Sequence, residues 1–198
     1  MIPKSVVLAA LLVAGLAPAC GVAAAQKPEL DPLRLVPVAA RAEAVSDAGF
    51  LRAVHQADLA EIGAGGIARE RGVSAQVRAL GARFVRDHTA IDAHLTATAR
   101  AAGVLLPDTP DAAQLALAKR YQSVPAARFD ELYLRTQLTA HDQAMRAGEA
   151  ELAHGADARV KRLVEYAAPI VKAHHDALTA ALGYGQNARR PGPVVRIA

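Results

Sequence analysis

Residues 74–103 read SAQVRALGARFVRDHTAIDAHLTATARAAG. Ser74 is a helix-capping residue and Gly103 a helix stop. Between them Val77, Gly81, Phe84, His88, Ile91, Leu95, Thr98 and Ala102 recur three and four residues apart. That spacing returns to one face of an α-helix at every turn, so it predicts an amphipathic helix whose apolar seam contains a single ionisable residue, His88.

The same signals recur on both sides. Upstream, Ser46 caps a helix with Asp47 in its first turn and an end near Arg71, where Gly72 stops it. Downstream, a proline-bounded loop over residues 104–110 leads into a short helical stretch from Asp111 to about Tyr121. Pro125 suits a first helical turn and opens a third long helix that ends near His154-Gly155. Asp157 caps a fourth, which reaches Leu182-Gly183 with Pro169 inside it as an expected kink. No segment alternates as a strand does. Four long helices with tight outer connections and a longer middle one predict an all-α four-helix bundle over residues 45–183, and the middle crossover, with its own short helix, admits the up-down-down-up order of ferritin-like bundles. Phe84, Leu95, Leu138 and Ile170 are expected in one continuous core.

Composition supports helices. Of 198 residues 53% are hydrophobic but only 4% aromatic, with no Trp, so burial rests on Ala, Leu, Val and Ile in closely packed elements. The 23 Lys and Arg against 19 Asp and Glu give a mild, dispersed positive excess, which excludes an acidic solvating tail. One cysteine excludes an intramolecular disulfide, a four-thiolate zinc site and an iron–sulfur cluster held by this chain alone.

The first 25 residues read as an export signal: Lys4 supplies charge, residues 6–16 an apolar stretch and Ala23-Ala24-Ala25 a cleavage site before Gln26. A periplasmic or secreted protein is the expected product. Lipid attachment at Cys20 is the less favoured alternative, because Ala17-Pro18-Ala19 fits a lipobox poorly. An uncleaved membrane anchor is a further alternative, which Pro18, Gly21 and the cleavage site oppose. Pro28, Pro32 and Pro37 make residues 26–44 an extended lead-in, and residues 184–198 form a basic tail with Arg189, Arg190 and Arg196. That tail can contact an anionic membrane surface or envelope polymer. Nucleic acid is not an expected partner, since the arginines are dispersed without an aromatic stacking platform. Oligomeric state is not legible.

Each of the other three seams is also interrupted once. Helix one gives Phe50, Val54, Ala57, Glu61, Ala64 and Ala68; helix three gives Leu134, Leu138, His141, Met145, Gly148 and Leu152; helix four gives Val160, Leu163, Ala167, Ile170, His174, Ala177 and Ala181. A neighbouring seam on helix three, through Tyr133 and Gln137, fits tolerably. Three imidazoles and a carboxylate at similar depth form a plausible shell for one divalent transition metal, with His88, His141 and His174 as ligands and Glu61 as fourth ligand or base. Zinc or copper(II) suits imidazole best, with iron and manganese as further options. The competing reading is a buried polar layer in which neutral histidines hydrogen-bond to Glu61, Tyr133, Gln137 or backbone carbonyls. It would make the chain a non-catalytic envelope protein.

Phe50-Leu51-Arg52-Ala53, Ala57-Asp58-Leu59-Ala60-Glu61-Ile62, Val85-Arg86-Asp87-His88-Thr89, Tyr133 with His141, and Ala168-Pro169 with His174 together resemble the bacterial ferritin-like family catalogued as domain of unknown function 4142. The resemblance spans about residues 44–182. It implies an exported, mostly helical protein with family histidines at His88, His141 and His174 and the family glutamate at Glu61, and it brings no established activity. His175 departs from the family's apolar residue, which leaves open whether it or His174 faces the core.

Weaker signals point elsewhere. Glu151-x-x-His154 has di-iron spacing but lies at a helix end, and neither His88 nor His174 has Glu three residues before it, so ordinary di-iron chemistry is disfavoured. Asp87 is expected on the surface, Asp92 as a partner that orients His88, and His55 and Asp58 on the flank of helix one, facing solvent or a seam edge. The sole methionine beyond the signal, Met145, excludes a thioether-rich copper(I) site. An enzyme using metal-bound water would need an open position and an access path, and the sequence shows neither.

Overall fold

The computed structural model describes residues 46–188, with side chains through residue 183. The export signal, Cys20, the lead-in and the arginines of the tail lie outside the described residues. Within them are five helices: α1 Asp47–Arg71, α2 Ala75–Ala102, α3 Ala112–Ser123, α4 Ala126–His154 and α5 Ala158–Ala188.

Local chemistry sets these bounds. The Ser46 and Ser74 hydroxyls accept from the Gly49 and Val77 amides, 3.1 and 3.2 Å away, relieving donors that have no partner within the helix. Gly103 ends α2 at φ +69°, a left-handed conformation that any Cβ would strain. Asp111 and Gln114 form a reciprocal capping box at the start of α3, each bond 2.8 Å long. Pro125 occupies the cap position of α4 rather than its first turn. Gly183 does not stop α5, which continues to Ala188. Pro169 is accommodated inside α5.

Hydrogen bonds between helix ends fix the topology. At one end the Asp130 carboxylate, in the first turn of α4, accepts from the Val73 and Ser74 amides between α1 and α2, both at 2.8 Å. Arg71 at the end of α1 donates to the carbonyls of Gln122, in the last turn of α3, and Val124, its C-cap. At the opposite end Asp47 accepts from the Ala156 and Asp157 amides just before α5, at 2.9 and 3.0 Å, and Arg159 reaches the Ala101 carbonyl of α2 at 2.5 Å. Thus α1 and α5 run one way, α2 and α4 the other. Among the four long helices, α1 with α2, α4 with α5, α2 with α5 and α1 with α4 are the packed neighbours, all antiparallel, and α3 packs on α1 and α4. The bundle is up-down-down-up, with α3 in the long middle connection.

The α1–α2 pair approaches closely where glycines face each other. A Cβ at Gly65 would stand 2.7 Å from the Gly81 carbonyl oxygen, and one at Gly81 would stand 2.6 Å from that of Gly65. Only the missing side chains let the two backbones touch.

The core is not continuous. One apolar cluster joins Ala64, Ala68, Val77, Leu80, Phe84, Phe129, Tyr133, Leu134 and Leu178 with Tyr121 of α3; Leu138 packs at its margin. The other joins Phe50, Leu51, Leu95, Ala99, Val160, Leu163 and Val164. Phe84 and Leu95 therefore fall in different clusters, and Ile170 is only partly buried. Between the clusters, at mid-height on all four long helices, lie His55, Asp58, Glu61, His88, Gln137, His141 and His174. An apolar core carries such a layer only where the polar groups are matched to one another.

Candidate metal centre

Helix α2 brings His88 inward one turn beyond Phe84, α4 brings His141 one turn beyond Gln137, and α5 brings His174 one turn before Leu178. Their exposures are 5%, 2% and 0%. Ring centroids are 5.7 Å apart for His88 and His141, 5.3 Å for His88 and His174, and 5.4 Å for His141 and His174. One nitrogen from each imidazole lies within 4.8 Å of the other two. The Phe84 ring packs against all three, with centroids 4.4 Å from His174, 5.0 Å from His141 and 6.1 Å from His88.

The surroundings commit one nitrogen of every ring. His88 Nδ1 donates to Asp58 Oδ1 at 2.7 Å, so the neutral ring carries its lone pair on Nε2, which is buried with no partner among the described residues. His141 Nδ1 donates to the Gln137 carbonyl at 2.9 Å, and a carbonyl has no proton to return, so Nε2 is the free nitrogen. His174 Nε2 donates to Asp87 Oδ2 at 2.9 Å, leaving Nδ1 free. The three free nitrogens face one another, with His141 Nε2 and His174 Nδ1 3.3 Å apart. These tautomers follow from the acceptors opposite each ring. They are the arrangement in which carboxylates and carbonyls orient histidines towards a metal.

Electrostatics agree for two of the rings. Burial, aided by the neighbouring His88, pushes His141 down to about 3. Burial likewise takes His174 down to about 4, although its bond to Asp87 opposes the shift. Both imidazoles are neutral at neutral pH, as ligands must be. His88 differs. Burial disfavours its charge too, but the Asp58 hydrogen bond and the carboxylates of Glu61 and Asp58 outweigh it and hold His88 above an ordinary imidazole.

Glu61 is buried and interacts with His88, but it is not one of the three-histidine group. The Gln137 amide, oriented with its nitrogen towards Glu61, donates to both carboxylate oxygens, 3.0 Å from Oε1, and leaves its oxygen facing the Tyr121 hydroxyl. Burial pushes Glu61 up to about 7, with His88 opposing and Asp58 adding to the shift. Helix α4 thus follows the seam through Tyr133 and Gln137, both buried at 0% and 2%, rather than the one through Leu138 and Met145.

Several expectations are corrected. Asp58 faces inward, not solvent: it is 3% exposed and is the partner of His88. His55 is buried as well and pairs at 2.6 Å with Asp92, which therefore does not orient His88. The inward stripe of α1 is wider than one heptad seam, because pairing removes the cost of turning His55 and Asp58 inward. Asp87 is not a free surface charge. His88 turns to α1, while the next residue back on α2 reaches across the α2–α5 interface to His174. Of the adjacent imidazoles, His174 faces the core, and His175 pairs with Asp142 at 3.0 Å near the surface. Glu151 and His154 do not act together: Glu151 is buried at 4%, and His154 is exposed. A carboxylate three residues from an inward position on an adjacent helix is the signal that would have identified Asp58. No comparable spacing marks Asp87, whose role depends on which helices become neighbours.

The family described as "Domain of unknown function (DUF4142)" matches residues 35–181, a span that holds every residue of this centre. No curated protein and no solved structure matches the chain.

Proposed function

The chain belongs to the DUF4142 family, and we propose that it binds one divalent transition metal ion through His88 Nε2, His141 Nε2 and His174 Nδ1. The observation that carries this reading is the convergence of three buried nitrogens whose rings have each spent their other nitrogen on a fixed acceptor. The lone pairs of His141 Nε2 and His174 Nδ1 face each other in a buried site and are mutually repulsive, and a cation between them resolves the mismatch. A layer held only by hydrogen bonds would have placed a donor opposite each acceptor.

Neutral imidazoles without thiolate or thioether favour zinc or copper(II), with iron and manganese as weaker fits. Three ligands leave a position for water or another group. Glu61, held by Gln137 outside the ligand group, acts in this reading as a nearby anion that balances charge and accepts a proton. His88 Nε2 must be deprotonated to coordinate, so the carboxylates that favour the charged ring make binding weaker as pH falls. The reading extends to an exported protein cleaved before Gln26, which the charged start, the apolar stretch and the Ala-Ala-Ala junction support. Among the described residues no helix is long and apolar enough to cross a membrane.

Titration with zinc and copper(II) tests the site: wild type is expected to bind one equivalent, and His88→Ala and His141→Ala to lose it. Sequencing of the exported protein's terminus tests the second part, where a start at lipidated Cys20 or at Met1 would replace cleavage at Gln26.

A further inference from the structure

We propose that this centre has a single port, at Asp87, and that Arg83 and Arg86 clasp Asp87 shut and so set the rate at which an ion enters and leaves. The inference rests on the metal-binding reading above.

Three groups back the histidines: Asp58, the Gln137 carbonyl and Asp87. The Asp58 side chain is 4% exposed and the Gln137 residue 2%, whereas the Asp87 side chain is 18% exposed. Asp87 is thus the one backing group in contact with solvent. Phe84 covers all three rings on one side, and on the other the next two turns of α2 bring Ile91 and Leu95, exposed at 1% and 0%.

Behind Asp87, His174 is fully buried. Its Nε2 faces Asp87 and its Nδ1 faces His141, so its ring stands between the surface and the centre. For an ion to pass, His174 must release Asp87 and turn its ring into the space that carboxylate occupies. Asp87 is held from outside by two guanidinium groups: Arg86 Nε is 2.9 Å from Oδ1 and Arg83 Nε 3.3 Å from Oδ2, the oxygen that also accepts from His174. Charge-assisted contacts of this kind are the stronger class of hydrogen bond. Arg86 is 70% exposed and Arg83 35%, so both can release into water without disturbing the core. Asp87 is accordingly a positioning residue, and the arginines its latch.

The test is stopped-flow uptake of cobalt(II), followed by its absorption in a nitrogen-rich site, and release to excess chelator. The folded wild type is compared with R83Q/R86Q and D58N. Measurement at about 0.5 M salt, where the Debye length is about 4 Å, removes the repulsion that the arginine charges exert on an incoming cation. R83Q/R86Q is expected to take up and release cobalt about tenfold faster each, the effect of losing charge-assisted contacts, with the dissociation constant nearly unchanged. D58N, on the closed side, is expected to weaken affinity about 10–100-fold through release alone, with uptake unchanged. Rates indifferent to the arginines, or affinity lost in R83Q/R86Q through release only, would overturn the port while leaving the metal centre standing. A wild type that takes up no cobalt would overturn both.

Discussion

His141 Nε2 and His174 Nδ1 stand 3.3 Å apart, each an acceptor, because His141 donates its proton to the Gln137 carbonyl and His174 donates its own to Asp87. The distance is that of a hydrogen bond, yet neither nitrogen has a proton to offer. His88 Nε2 adds a third buried nitrogen without a partner among the described residues. A structure that needed only a register-fixing polar layer would gain by turning one of these rings round.

This mismatch has a consequence for stability. In metal-free protein, His141→Leu is expected to raise the unfolding free energy by about 1–2 kcal/mol, since an apolar group of similar size replaces a buried polar atom without a match. Chemical denaturation of protein treated with chelator measures it. A loss of stability would show that the imidazole is satisfied without metal.

Metal should stabilise the fold in proportion to its affinity. At a free zinc concentration about 100 times the dissociation constant, the gain is about 2.7 kcal/mol, seen as a rise in the thermal midpoint that disappears on chelation and is absent in His174→Ala. An equal rise in that variant would place the ion elsewhere.

Glu151 predicts a pH effect distant from the centre. Burial, together with the adjacent Asp47 carboxyl, raises Glu151 to about 7 from 4.5. Below about 4.5 the carboxyl is protonated in both folded and unfolded chains; between about 4.5 and about 7 the unfolded chain loses that proton while the fold keeps it, so this group makes stability fall as pH rises. Glu151→Gln should remove that slope and, above neutral pH, stabilise by roughly 1–3 kcal/mol. Denaturation midpoints of the two proteins across this range provide the check, and parallel pH profiles would contradict it.

Much of the fold was legible because its signals are local. Ser46, Ser74, Asp111 and Gly103 act on their own helix ends, and the structure places them as caps and stop. Gly183 was misread because glycine permits a helix to end without requiring it: Gly72, Gly103 and Gly155 each cap a helix C-terminus, whereas α5 runs through Gly183 to Ala188. The three histidines could be picked out as single interruptions of apolar seams. Their partners could not, for two reasons. Asp58 was hidden by reading a narrow seam on α1, and Asp87 by the assumption that neighbours in sequence cannot serve one site from two interfaces. Glu61 was correctly read as buried, but Gln137, on the seam of α4 set aside in favour of Leu138, is what engages it.

The α1–α2 contact gives a test of packing independent of the centre. Gly81→Ala places a methyl group against the Gly65 carbonyl and the Ala68 side chain, neither of which can yield without moving a helix. A loss of about 1–3 kcal/mol is expected on denaturation, with a preserved helical circular dichroism spectrum. No loss would mean that the helices stand further apart than described.

Calorimetric titration of zinc into metal-free wild type, His88→Ala and His141→Ala at neutral pH addresses the three-histidine centre most directly. We expect one equivalent bound by wild type, and stoichiometric binding abolished in both variants while their helical spectra are retained. Unchanged binding in either variant, or none by wild type, would contradict coordination by His88, His141 and His174.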